Sequence, residues 1–136
     1  MQLTIFTDYG LRSLMYLAAH PDRRCSVREI AEHYQVSRNH LVKVVHRLAQ
    51  LGHIDSSKGK GGGIKMAQHA DRLKLGDLVR ALEPNLDIAE CFNKDTNSCQ
   101  LKHYLMDAQQ AFLASLNQHS LADVVRDRSL FLAWIE

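Results

Sequence analysis

Apolar residues recur at helical spacing along "DYGLRSLMYLAAH", where Leu11, Leu14, Met15, Leu17 and Ala18 mark one face. Thr7 in front of this run is the expected N-cap, Asp8 suits the positive end of the helix dipole, and His20-Pro21 stops the helix. In "CSVREIAEHY", Ser26 and Glu29 have the spacing of a capping box, and Cys25 and Ile30 that of a hydrophobic staple. Cys25 therefore reads as a small apolar residue closing a helix entry. After the short link "QVS", the run "SRNHLVKVVHRLAQLG" carries Leu41, Val44, Val45, Leu48 and Leu51 on one stripe. Ser37 is its expected cap, Val36 and Leu41 a second staple pair, and Gly52 its end. Two short helices joined by a tight turn make a helix-turn-helix.

The pattern then changes. "HIDSSKGKGGGIKMA" predicts two short strands, at Ile54 and at Ile64 to Met66, around a glycine-rich tip. A hairpin directly after a helix-turn-helix is a wing. "LKLGDLVRALEP" predicts a further helix ended at Glu83-Pro84. From about Leu101 a long helix carries Leu101, Leu105, Ala108, Phe112 and Leu116, close to a coiled-coil seam, and a second copy of the same helix is the simplest partner for it. "SLADVVRDRSLFLAWIE" reads as a closing turn or two of helix. The expected fold is mainly α with a small β wing. Residues 1–83 form a winged helix-turn-helix DNA-binding domain, 84–100 a ligand-binding loop, and 101–136 a long dimerisation helix and C-terminal segment.

Charge sharpens the functional reading. Residues 1–80 hold 13 Lys/Arg against 7 Asp/Glu, whereas residues 81–136 hold 4 against 8. Only the front half is suited to meet a polyanion. On the second helix of the motif the residues off the stripe are Ser37, Arg38, Asn39, His40, Lys43, His46, Arg47 and Gln50. These are types that reach base edges and phosphates, and they sit where this motif enters the major groove. Lys58 and Lys60 at the wing tip suit phosphates, and Gly62 lets backbone come close to a surface. The competing reading is a solvated charged face, or a basic surface for an acidic protein. The coincidence of helix-turn-helix spacing, basic asymmetry and basic wing favours double-stranded DNA. "GKGGG" lacks the Gly-Lys-Ser/Thr ending of a nucleotide-binding loop, and no nucleophile–base pairing stands out, so an enzyme is not expected.

No apolar run approaches the roughly 20 residues that cross a bilayer, and no secretory signal opens the chain, so a cytoplasmic protein without membrane contact is expected. In a reducing compartment, thiols more often bind metal or sense redox state than cross-link. Of the three cysteines, Cys91 and Cys99 lie in the polar stretch "ECFNKDTNSCQLKH". Cys99 falls at the start of the long helix, where the dipole favours anionic sulfur, and His103 shares its helix face one turn on. Spacing alone leaves metal binding, a reversible disulfide and no role at all open.

The segments "MQLTIFTDYGLRSLMYLA", "VSRNHLVKVVHRLAQLG", "GKGGGIKMA", "GDLVRALEP" and "LADVV" resemble, nearly end to end, the NsrR-like repressors of the iron–sulfur winged-helix family that includes IscR. The resemblance implies a bacterial homodimeric repressor that senses nitric oxide or redox and iron–sulfur status through a labile cluster controlling its operator affinity. It also implies cluster ligation from this loop, but the family's middle cysteine is missing here: Cys91 matches the first cysteine and Cys99, before "QLK", the last. Relatives supply a carboxylate at the position of Asp8, and some supply a histidine at that of His33. The implied ligand set for a two-iron, two-sulfide cluster is Cys91, Cys99, Asp8 and His33, with His103 in reserve. A thiol switch at Cys91 and Cys99 with no cluster, or another metal, remains the alternative.

Overall fold

The computed structural model describes residues 2–88 and 99–126. Helices α1 (Ile5–Ala19), α2 (Val27–Tyr34) and α3 (Arg38–Gln50) lead into strands β1 (Ile54–Ser57) and β2 (Gly63–Met66). A short 3-10 turn at Ala70–Arg72 is followed by α4 (Leu75–Leu82), α5 (Gln100–Leu116) and α6 (Leu121–Val125). The mainly helical fold with one antiparallel hairpin is the expected winged helix.

Local signals account for the helix-turn-helix. The Ser26 hydroxyl accepts from the Glu29 amide at 3.0 Å while the Glu29 carboxylate accepts from the Ser26 amide at 2.6 Å, closing the capping box. The turn to α3 runs through Gln35, whose φ of 55° is the one positive value at a non-glycine residue among the described residues. Ser37 caps α3 by accepting from the His40 amide. At its other end Gly52, at φ 81°, lets the amides of Gly52 and His53 return to the carbonyls of Ala49 and Leu48. Leu41, Val44, Val45 and Leu48 are buried as the stripe predicts, against Leu14 and Leu17 of α1, Ile30 of α2 and Ile54 and Ile64 of the wing. Cys25 is 1% exposed and belongs to this core, and burial pushes its thiol pKa up, so it behaves as an inert apolar residue.

Helix α1 begins three residues before the sequence places it. Thr4, not Thr7, is the cap, and its hydroxyl accepts from the Thr7 amide. Thr7 is fully buried, and its own hydroxyl donates to Glu83 Oε2 at 2.6 Å. That oxygen also accepts from the Thr4 amide and hydroxyl, at 3.1 and 3.2 Å. A carboxylate at the far end of α4 thus organises the start of α1, a contact across 76 residues that no local pattern announces.

The wing pairs Ile54 with Met66 and Ser57 with Gly63. Cys25 adds a third, short edge: its amide donates to the Ile64 carbonyl and its carbonyl accepts from the Ile64 amide, both at 2.8 Å. Arg24 locks the same junction, donating to the carbonyls of Asp55 and Gly63 and to the Asp55 carboxylate at 3.0 Å.

Helix α5 is covered by its own chain mainly at its C-terminal end. Leu113 is its one buried residue; Leu105, Phe112 and Leu116 are half-buried, and Leu101 and Ala108 are exposed. Its C-terminal end leans on α4, and Asn117 at its C-cap accepts from the Asp77 amide at 2.9 Å, giving α4 the N-terminal cap that Lys74 cannot supply. Leu121 of α6 is fully buried in the winged-helix core.

Candidate nucleic-acid interface

The stripe that buries one side of α3 commits the other side to solvent. Ser37, Arg38, Asn39, Lys43, His46, Arg47 and Gln50 are all exposed there. His40 is half-buried, its ring centre 5.1 Å from that of Tyr9 on α1 in an edge-on contact, so it joins the recognition helix to the body. Lys58 and Lys60 are exposed at the wing tip. Gly62 is half-buried: a Cβ there would sit 2.4 Å from the Ser57 carbonyl oxygen and 2.8 Å from that of Gly59, so this glycine shapes the tip through its own backbone.

Four arginines on α1, α2 and the loop between them are engaged. Arg12 pairs with Asp8, Arg23 with Glu29, Arg24 with Asp55 and Arg28 with Glu32. Arg38, Lys43, Arg47, Lys58 and Lys60 have no ion-pair partner among the described residues. A row of uncompensated cations on α3, continued on a hairpin fixed at its base by Arg24, presents positive charge to a groove and its flanking phosphates. Arg24 was not legible as part of this device, because all three of its partners are distant in sequence.

His53 sits between α3 and β1, and its Nδ1 is buried without a hydrogen-bond partner among the described residues. Burial lowers its pKa below the ordinary histidine value of about 6.5. The folded state then binds this proton more weakly than the unfolded chain does. Its contribution to stability is complete above that value and is lost as pH falls below it. The melting temperature is expected to fall between pH 7.5 and 5.5, and His53→Gln to flatten part of that fall; an unchanged slope would remove His53 from the account.

The implied metal ligands are dispersed. Asp8 is half-buried and ion-paired with Arg12 at 3.0 Å. The guanidinium of Arg12 lies 5.7 Å from the centre of the Tyr34 ring, and that ring meets His33 edge-on at 4.9 Å. Asp8 and His33 therefore share one continuous surface where α1 meets α2. Among the described residues His33 Nε2 and the Tyr34 hydroxyl are buried with no hydrogen-bond partner. Burial first, and His20 second, lower the His33 pKa and keep its imidazole neutral; burial raises that of Tyr34. Cys99 is half-buried at the N-cap of α5 and makes no side-chain capping bond, and His103 lies one turn along. Cys91 lies outside the described residues. Among the described residues no three His, Cys, Asp or Glu side chains converge on a metal position.

A recognition helix with free cations beside a basic wing defines a winged-helix DNA-binding protein. A family model described as Rrf2, iron-dependent transcriptional regulator, matches residues 3–127, and the chain belongs to that family. It is 43% identical over 132 residues to the HTH-type transcriptional regulator NsrR of Shouchella clausii (strain KSM-K16), spanning 92% of this chain and 89% of that protein. Its fold is shared with T. potens IscR, at TM-score 0.79 and 23% identity over 94% of this chain and 88% of that one. It is shared equally with CymR, the global cysteine regulator of B. subtilis, at TM-score 0.78 and 23% identity over 93% and 97%. The oxidized form of Staphylococcus aureus CymR matches at TM-score 0.73 and 26% identity over 91% and 95%. The chain is a transcriptional regulator, not an enzyme. Among the described residues no helix is long and apolar enough to cross a membrane.

Proposed function

We propose that this chain is a cytoplasmic, homodimeric repressor that binds operator DNA through α3 and the wing and whose affinity is set by a labile iron–sulfur cluster. The observation that carries the sensor part is the Nε2 of a neutral His33, buried and without a hydrogen-bond partner among the described residues. The donor types suit such a cluster: thiolates from Cys91 and Cys99, a carboxylate from Asp8 and an imidazole from His33. Asp8 and His33 belong with the partner's loop cysteines, and the stripe of Leu101, Leu105, Ala108, Phe112 and Leu116 on α5 belongs in the dimer seam. When bound, the cluster supplies a junction that nitric oxide or oxidation can dismantle. Asp8 and His33 then anchor each DNA-binding unit to the opposite α5, and through Tyr9 and His40 the start of α3 is held with them. Because dimers read half-sites about one helical turn apart, releasing this anchor shifts the spacing of the two recognition helices.

Protein prepared without oxygen should carry iron and acid-labile sulfide and a visible absorption band. These should be lost together in Cys91→Ala and reduced in Asp8→Ala and His33→Ala. Equal operator affinity with and without the cluster, at fixed salt, would overturn the sensor reading. A thiol switch at Cys91 and Cys99 is the second reading. It is favoured by the absent middle cysteine and by the fold shared with CymR, a cysteine regulator solved in an oxidized form. Iron-free, colourless protein whose operator binding changes with a thiol reductant would select it.

A further inference from the structure

Val42 is 48% exposed in the middle of the polar face of α3. It stands one helical turn from both Arg38 and His46, beside Asn39 and Lys43. The core does not use it: the buried residues of this helix are Leu41, Val44, Val45 and Leu48. The helix does not favour it either, since a β-branched side chain at a solvent-facing helical position loses rotamer freedom that lysine or alanine would keep. Folding therefore gives no reason for a branched apolar residue here, amid side chains suited to phosphates and base edges.

The groove offers one. Of the four bases, only thymine shows an apolar group in the major groove, its C5 methyl, and small apolar side chains contact it. We propose that Val42 is a specificity-determining residue that packs on a thymine methyl in each operator half-site, between the positions reached by Arg38 and Asn39 on one side and His46 on the other. The inference rests on α3 entering the major groove, as argued above.

The test uses the full chain and a duplex that it selects from a random pool. Each thymine of that duplex is replaced, symmetrically in both half-sites, by deoxyuridine, which lacks only the methyl. Removing one buried methyl contact per half-site is expected to weaken binding about tenfold in total at a single position. Val42→Ala should bind the thymine duplex more weakly and be indifferent to deoxyuridine there, whereas Val42→Thr, which keeps a γ-methyl, should retain the discrimination. If Val42→Ala responds to every substitution as the original chain does, the contact does not exist. If it loses affinity equally on all duplexes, Val42 touches sugar rather than base, and the proposal is again overturned. A chain that selects no duplex at all would overturn the DNA-binding reading together with this one.

Discussion

Replacing Lys58 and Lys60 with alanine is expected to flatten the salt dependence of operator binding by about 3.6 in the log–log slope, at a coefficient of about 0.9 per phosphate contact. The figure follows from two exposed lysines per wing, unpaired among the described residues, and two wings in the proposed dimer. Each lysine that neutralises a phosphate releases counterions, and that release is what salt opposes. Between 50 and 200 mM salt the gap between the variant and the original chain should narrow roughly a hundredfold. The loss should be the same on every duplex, because phosphates carry no sequence information. Asn39→Ala should behave oppositely. It is expected to cost about 1–3 kcal/mol at one base pair, relaxing selectivity there while leaving the slope intact. Titrations at several salt concentrations on matched and mismatched duplexes separate the two. If the wing variant kept its slope, the tip would lie away from the backbone, and Arg24 would be fixing a hairpin that does not touch DNA.

What was legible in the sequence was what neighbours in the chain decide. The Ser26–Glu29 box, the Ser37 cap, the glycine exit at Gly52 and the apolar stripe of α3 each need only a few consecutive residues, and the structure has all four. Thr7 failed as a cap because Glu83, far along the chain, engages its hydroxyl and leaves Thr4 to start the helix. Spacing along α5 marks its apolar stripe but not where the helix docks on its own chain. The residue that anchors the helix is Leu113, chosen by where α4 happens to lie rather than by any repeat along α5. The same division runs through the candidate sites. Exposure of the α3 cations followed from the stripe opposite them. That His33 would have a sealed, unpartnered nitrogen depended on Tyr16 and Tyr34 closing over it, which periodicity does not encode.

The junction between α4 and α5 should be the least tolerant point outside the core. A Cβ at Gly76 would lie 2.3 Å from the Leu113 carbonyl oxygen and 2.5 Å from Asn117 Oδ1. The first of these is backbone inside a helix and cannot rotate away. By contrast, a Cβ at Gly10 would meet the tip of Leu82 at 2.8 Å, a flexible side chain that can move. Gly76→Ala must therefore lift α5 from α4 or distort the first turn of α4, at about 1–3 kcal/mol. At this chain length that lowers the melting temperature by roughly 4–12 °C. The same displacement pulls Asn117 from the Asp77 amide, so the cap is lost with the packing. Asn117→Ala alone should cost less, about 0.5–2 kcal/mol, because only the cap disappears. The double variant should be little worse than Gly76→Ala, since both changes act on one contact. Thermal unfolding of the three variants measures this directly. Full additivity would mean that cap and close approach are separate, and α5 would then lack the rigid bracket through which a dimerisation helix can hold a recognition helix in register.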